Sequence, residues 1–217
     1  MAIFICFISG LFWSIFDLTR KKSLKKISSG SLLFFFSLTQ IFFFLIWINL
    51  SENYLNLSSY FLPSTFLILI SVLSALLFLK SLKISELSLT IPLLSFTPLF
   101  SALISIFLLN ENLNYHKYPG MFFIIFGTMI LYSSSMKFGD IFKSIKILIN
   151  NLGARYMLIV SLFWSLTPII DKVCLRHSSI NIHGLVQSSG MAFLLILFFF
   201  KEIKNDLTRS KKNNVLI

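Results

Sequence analysis

The sequence predicts an all-α fold, a polytopic membrane helical bundle of about seven transmembrane helices, and three observations predict it. Charged residues fill only 12% of the 217 positions, against roughly a quarter in a soluble domain. Phenylalanine alone occupies 26 of them, more apolar surface than a water-soluble core of this size can hide. The charges that do occur sit in short clusters between long apolar runs, as topology determinants do. Lipid is therefore the main solvent, and helices satisfy it because they close their backbone hydrogen bonds internally. The same clustering excludes nucleic-acid binding as the reason for the net charge of +11.

Taken in order, the apolar segments are 3–19, 31–50, 63–79, 87–109, 118–134, 156–170 and 184–200. Most approach the ~20 residues a helix needs to cross hydrocarbon. The first, third and sixth are short and require bilayer thinning or extension at their ends. The second is dense in aromatic residues, with Phe34-Phe35-Phe36 and Phe42-Phe43-Phe44. The fourth holds Pro92 and Pro98, and the fifth Gly120 and Gly127, whose seven-residue spacing marks a close helix contact. The N-terminus has no basic residue ahead of its apolar run, so a cleavable signal peptide is not expected. Abundant Phe, Ile, Lys and Asn suggests an AT-rich genome.

Between the fifth and sixth segments lies the longest connection, 136–155. Phe138, Ile141, Phe142, Ile145, Leu148 and Ile149 recur there at helical spacing, with Lys137, Asp140, Lys143 and Lys146 opposite. It reads as an amphipathic connecting helix in the headgroup region, or as a helical extension of a neighbouring span. Basic residues are one-sided. Of the 19 Lys and Arg residues, only Lys117, Lys172 and Arg176 follow even-numbered segments. The positive-inside rule then places the N-terminus outside and the basic tail, 201–217, in the cytoplasm.

Segments one and six share a phrase: Leu11-Phe12-Trp13-Ser14 returns as Leu162-Phe163-Trp164-Ser165. Ser28-Ser29-Gly30 and Ser188-Ser189-Gly190 echo each other at a different offset. Each copy is a short span, a basic polar loop and a long aromatic span. The second copy begins five spans after the first, and five is odd, so it enters the membrane upside down. Inverted repeats of this kind are the signature of secondary transporters.

Thr90-Ile91-Pro92-Leu93-Leu94-Ser95-Phe96-Thr97-Pro98-Leu99-Phe100, then Asn110-Glu111, then Gly120 and Gly127, carry a family resemblance. The chain resembles EamA-type members of the drug/metabolite transporter superfamily. Those proteins are built from two five-helix repeats, with a mid-span proline, a Glu at the helix end and spaced glycines opening the next helix. Trp-Ser in segments one and six is similar to the family's small-polar motif near the start of each repeat. The resemblance implies a first five-helix repeat over 1–135, the connecting segment 136–155 and a partial second repeat of two helices over 156–200. Helices corresponding to eight, nine and ten of the family are not expected in this chain.

Several residues are candidates for chemistry. A mid-span proline frees a carbonyl, so Pro92 and Pro98, flanked by Thr90, Ser95 and Thr97, suit a substrate-facing wall or, alternatively, close helix packing. Asp17, three residues beyond Ser14, is a carboxylate at membrane depth and a functional candidate by default. An ion pair with Lys21, four residues on, is the other reading. Glu111 is a gate or cap at a helix end, or a solvated acid. Trp13, Trp47 and Trp164 anchor at the interface, or Trp13 and Trp164 line a cavity between the repeats. The substrate-binding set is thus Trp13, Ser14, Asp17, Thr90, Pro92, Ser95, Thr97, Pro98, Trp164 and Ser165. His177 and His183, six apart beside a helix end, read as solvated loop histidines. Cys6 and Cys174 form no disulfide framework or metal site.

No nucleotide loop, Gly-x-Ser-x-Gly or His-Glu-x-x-His occurs, so neither an enzyme nor a cofactor is expected. The expectation is a permease moving a small-molecule substrate across the cell membrane, the inner membrane of a bacterium. A truncated, non-transporting remnant, or a membrane interaction subunit of a larger assembly, is the alternative. A homodimer would complete an unfinished second half.

Overall fold

The computed structural model describes residues 2–109, 115, 117–131 and 150–212. Among these, every long element is a helix. They are α1 (Ala2–Ser23), α2 (Ser29–Ile48), α3 (Leu57–Ile84), α4 (Leu87–Thr90), a 3-10 segment (Ile91–Phe96), α5 (Thr97–Leu109), α6 (Lys117–Leu131), α7 (Leu152–Leu175) and α8 (Ile180–Lys212). Five stretches are long and apolar enough to cross a membrane: Ser29–Ile48, Leu57–Ile84, Leu87–Ile104, Leu152–Leu175 and Ile180–Arg209. A shorter apolar helix covers Tyr118–Thr128. With α1, helices coincide with all seven apolar segments. The chain is a multi-pass helical bundle, and its outward faces carry large apolar side chains such as Phe42, Phe61, Leu62 and Phe198.

Both of the short inner segments are longer than hydropathy alone suggested. α3 reaches 28 residues because Pro63 lies inside it rather than at its start, and α7 reaches 24. Asn151 caps α7, accepting a hydrogen bond from the Ala154 N–H at 3.0 Å. The fourth segment bends as its prolines predict, by changing helix type: Pro92 sits in the first turn of the 3-10 segment. The last helix does not stop at Phe200. It bends at Phe199 (φ −121, ψ 18) and continues to Lys212, because Lys, Glu, Leu and Arg favour helix and Ile203 finds a buried seat. Most of 136–155, and Glu111, lie outside the described residues.

Two antiparallel pairs make the body. α2 lies along α8: Gly30 near the start of α2 packs on Phe199, and Phe44 near its end packs on Gly184. A side chain on either glycine would collide with the aromatic ring. The pair is tied at both ends. At one, the Asp206 carboxylate accepts from the Ser28 N–H (2.9 Å) and the Ser31 hydroxyl (2.7 Å), a negative charge on a helix N-terminus. At the other, the Asn181 amide donates to Ser51 (2.8 Å) and Asn53 (2.6 Å). α3 lies along α7 in the same way, with Ser81 donating to the Gly153 carbonyl at 2.8 Å and the Asn56 N–H donating to the His177 carbonyl at 2.8 Å. Gly190 of α8 meets Ile68 of α3. Among the described residues, nothing lies within 4 Å of where a side chain would begin at Gly120 or Gly127, so the close contact their spacing suggested is not seen there.

Leu33, Phe78, Leu79, Leu82, Leu93, Met157, Val160 and Leu195 form the core of this body. α1 joins it near its own C-terminal end, through Phe16 against Phe36 (5.4 Å) and the Lys21 ammonium on the Ser85 carbonyl (2.6 Å). α1 and α7 therefore run in opposite directions, as the shared Leu-Phe-Trp-Ser phrase leads one to expect. These contacts also gather Arg20, Lys21, Lys22, Lys25, Lys26, Lys83 and Arg155 at one end of the bundle.

Candidate functional site

Facing sides of α1, α2, α3, α7 and α8 enclose a cavity of about 310 Å³. Its walls follow helical spacing. α1 contributes Trp13 and Arg20, seven apart; α2 contributes Phe36, Gln40 and Phe44. From α3 come Ser71, Ser74 and Phe78, and from α7 Trp164, Thr167 and Asp171; α8 gives Gly184, Gln187 and Ser188. Each set keeps the i, i+3, i+4, i+7 rhythm that places side chains on one helix face. Aromatic rings make the sides of the chamber, and amides, hydroxyls and two charged groups make its polar points.

At one end the Arg20 guanidinium donates to Asp17 at 3.1 Å. It also lies 3.9 Å from the Phe16 ring centre and 5.4, 5.5 and 5.6 Å from those of Phe36, Phe78 and Trp13. A guanidinium held over ring faces keeps a favourable setting away from bulk water. Asp17 is thus paired, but with Arg20 and not with Lys21, whose ammonium is taken by Ser85. In the middle, the Trp164 indole N–H donates to Ser74 Oγ (3.2 Å) and the ring leans on Phe78 (5.2 Å). Gln187 donates to Ser71 Oγ at 3.3 Å.

The far end holds a chain of polar groups that the sequence reading missed. Tyr60 Oη lies 2.7 Å from His183 Nδ1, and His183 Nε2 lies 3.0 Å from Asp171 Oδ1. His183 is buried, with 8% of its side chain exposed, whereas Asp171 keeps 36% and opens into the cavity. His183 is therefore no solvated loop residue. α8 begins at Ile180, ahead of the expected start at 184, and this extra turn carries the ring between α3 and α7. One signal was available: Trp164, Thr167 and Asp171 share a face of α7, and His183 and Gln187 share a face of α8.

Of the residues singled out from sequence, Trp13 and Trp164 line this cavity and Asp17 braces Arg20 within it. The others lie elsewhere. Ser14 and Ser165 donate to carbonyls of their own helices, Gly10 (2.9 Å) and Leu162 (2.6 Å). Thr90 is buried and donates to the Glu86 carbonyl (3.0 Å). Ser95 donates to the Pro92 carbonyl (2.6 Å) and approaches Thr128 of α6 (3.3 Å). Pro92 lies in the 3-10 segment, and Thr97 and Pro98 open α5; none of these lines the cavity.

Cys6 and Cys174 are free thiols, the latter buried. No group of three metal-binding side chains occurs among the described residues. What the arrangement offers is recognition: aromatic walls, hydrogen-bonding amides and hydroxyls, and one charge of each sign. Apolar spans packed around such a chamber define a multi-pass membrane protein of transporter-like construction. The model of the EamA-like transporter family matches residues 1–133, and the chain belongs to that family. No curated protein and no solved structure matches it.

Proposed function

We propose that the chain is a secondary transporter that carries a small organic metabolite across the cell membrane along the cavity between α1, α2, α3, α7 and α8. One observation carries the reading: a chamber with paired charges, amides and indoles lies among helices whose outer faces are apolar. Polar groups at membrane depth are costly and mark substrate paths. The basic end of the bundle faces the cytoplasm by the positive-inside rule, so α1 begins outside and α8 ends inside. The function needs no covalent step and no cofactor.

The first repeat, 1–135, and the two helices of 156–200 contribute one tryptophan each to the chamber, and the Leu-Phe-Trp-Ser phrase is the sequence mark of that symmetry. Two inverted elements facing one chamber suit alternating access. The test is metabolite profiling of cells that express the chain against cells that do not, followed by uptake of the shifted metabolite into proteoliposomes. A saturable flux that falls in Trp13→Ala and Asp17→Asn supports the proposal. Proteoliposomes no more permeable than protein-free vesicles to every metabolite so identified would overturn it.

A further inference from the structure

Charge balance around the chamber points to what it receives. Arg20 is met by Asp17 at 3.1 Å, so that end is neutral overall. At the other end the lining holds Asp171 as its carboxylate, and its close partner is an imidazole. A ring carrying a single N–H can satisfy both neighbours, with Nε2–H donating to Asp171 and Nδ1 accepting the Tyr60 O–H, at contacts of 3.0 and 2.7 Å. Cys174 of α7 and Ser178, which donates to the Cys174 carbonyl at 3.0 Å, stand beside this relay, and among the described residues no Lys or Arg is in salt-bridge contact with Asp171. One negative charge then remains, partly exposed on the lining of the chamber and backed by a buried relay that fixes its position.

We infer that Asp171, positioned by His183 and Tyr60, is a receiving subsite for a protonated organic amine. The inference rests on the cavity that the transport reading uses. A bare metal ion fits poorly, because a hard cation calls for several oxygen ligands and the lining at this end carries the ring of Phe44, packed on Gly184 beside His183. An aromatic wall suits an alkylammonium, which takes a carboxylate on one side and a ring face on the other. Gln187 and Ser71 lie on the lining beside it and offer further acceptors. Tyr60 and His183 are positioning residues in this scheme, since neither belongs to the lining and both act through Asp171.

The experiment is calorimetric titration of the full chain in detergent at neutral pH. Benzylamine serves as the cationic probe, and benzyl alcohol and benzoate are its neutral and anionic counterparts. Benzylamine is expected to bind saturably and the other two not. Asp171→Asn, which keeps the shape and an acceptor for His183, should weaken benzylamine about tenfold or more. Asp171→Glu should recover part of the loss, and Tyr60→Phe should weaken binding by less than Asp171→Asn. Equal binding of amine and alcohol, wild-type affinity in Asp171→Asn, or no binding to the wild type at millimolar probe would each overturn the inference. If Asp171→Asn fails to fold, the probe series on the wild type and on Asp171→Glu decides the question. Benzylamine binding without flux of any metabolite supports the subsite and counts against transport. Flux without benzylamine binding counts against the subsite alone.

Discussion

Two regions of this molecule are rich in hydroxyl residues within apolar helices, and they differ in how many polar contacts cross between helices. In the proline-bearing stretch from Thr90 to Pro98, Thr90 and Ser95 donate to carbonyls of their own turn, Glu86 and Pro92, and the one polar contact to another helix among the described residues is the longer approach of Ser95 to Thr128 at 3.3 Å. In the body formed by α3, α7 and α8, polar groups reach other helices: Trp164 to Ser74, Gln187 to Ser71, Ser81 to Gly153, and Tyr60 through His183 to Asp171. A hydroxyl that donates to its own helix has spent its proton locally and keeps only its oxygen to accept with, as Ser74 does from Trp164. A group that crosses to a neighbour holds a wall in place. That contrast separates the proline segment from the walls of the polar chamber.

The contrast can be broken or sharpened by substitution. The largest effect is expected where helices touch without a side chain between them. Gly184→Val would push a branched side chain into Phe44, and overpacking of this kind costs about 1–3 kcal/mol. Loss of the monodisperse peak in fluorescence-detected size exclusion is the expected outcome; the same change at Gly120, which meets nothing, should leave the peak intact. Next comes Tyr60→Phe, which removes the donor to a buried imidazole. Cross-helix hydrogen bonds in membranes average about 0.6 kcal/mol and reach about 1.7, so a thermal shift near the upper value is expected.

Trp164→Phe keeps a ring in the chamber but ends the bond to Ser74, and should lower stability by about 0.6 kcal/mol while also reducing flux. Smallest of all is Ser95→Ala. It should stay within about 0.5 kcal/mol of wild type and leave flux unchanged in the proteoliposome assay. A Ser95→Ala defect as large as that of Trp164→Phe would return the substrate path to the proline segment and erase the distinction between the two regions.

How far the sequence carried this picture depended on the reach of each signal. The spans were legible because hydropathy is a local average, and the family resemblance over 1–135 meets the match over 1–133. Trp13 and Trp164 were legible through a repeated phrase. Asp17 was legible as paired, yet its partner was misread. Spacing of four favours Lys21, but Ser85, 64 positions away, draws that ammonium off and leaves Arg20 to turn inward. His183 escaped notice for a related reason. Its partners Tyr60 and Asp171 stand 123 and 12 positions away, and a histidine near a helix start looks solvated until the neighbouring helices are placed. The bend at Phe199 had no local mark, neither Pro nor Gly, and falls where that side chain packs on Gly30.

Fastening α2 to α8 at both ends has a mechanical consequence. Two rods pinned at one end can slide or splay; rods pinned at both lose that stroke and keep only a common tilt. Asp206 on Ser28 and Ser31 at one tip, and Asn181 on Ser51 and Asn53 at the other, leave the pair that freedom alone. Widening one mouth of the chamber then means pivoting the pair as a single lever, with the Phe199 elbow as its point of compliance and the lightly held α1 as the part that yields.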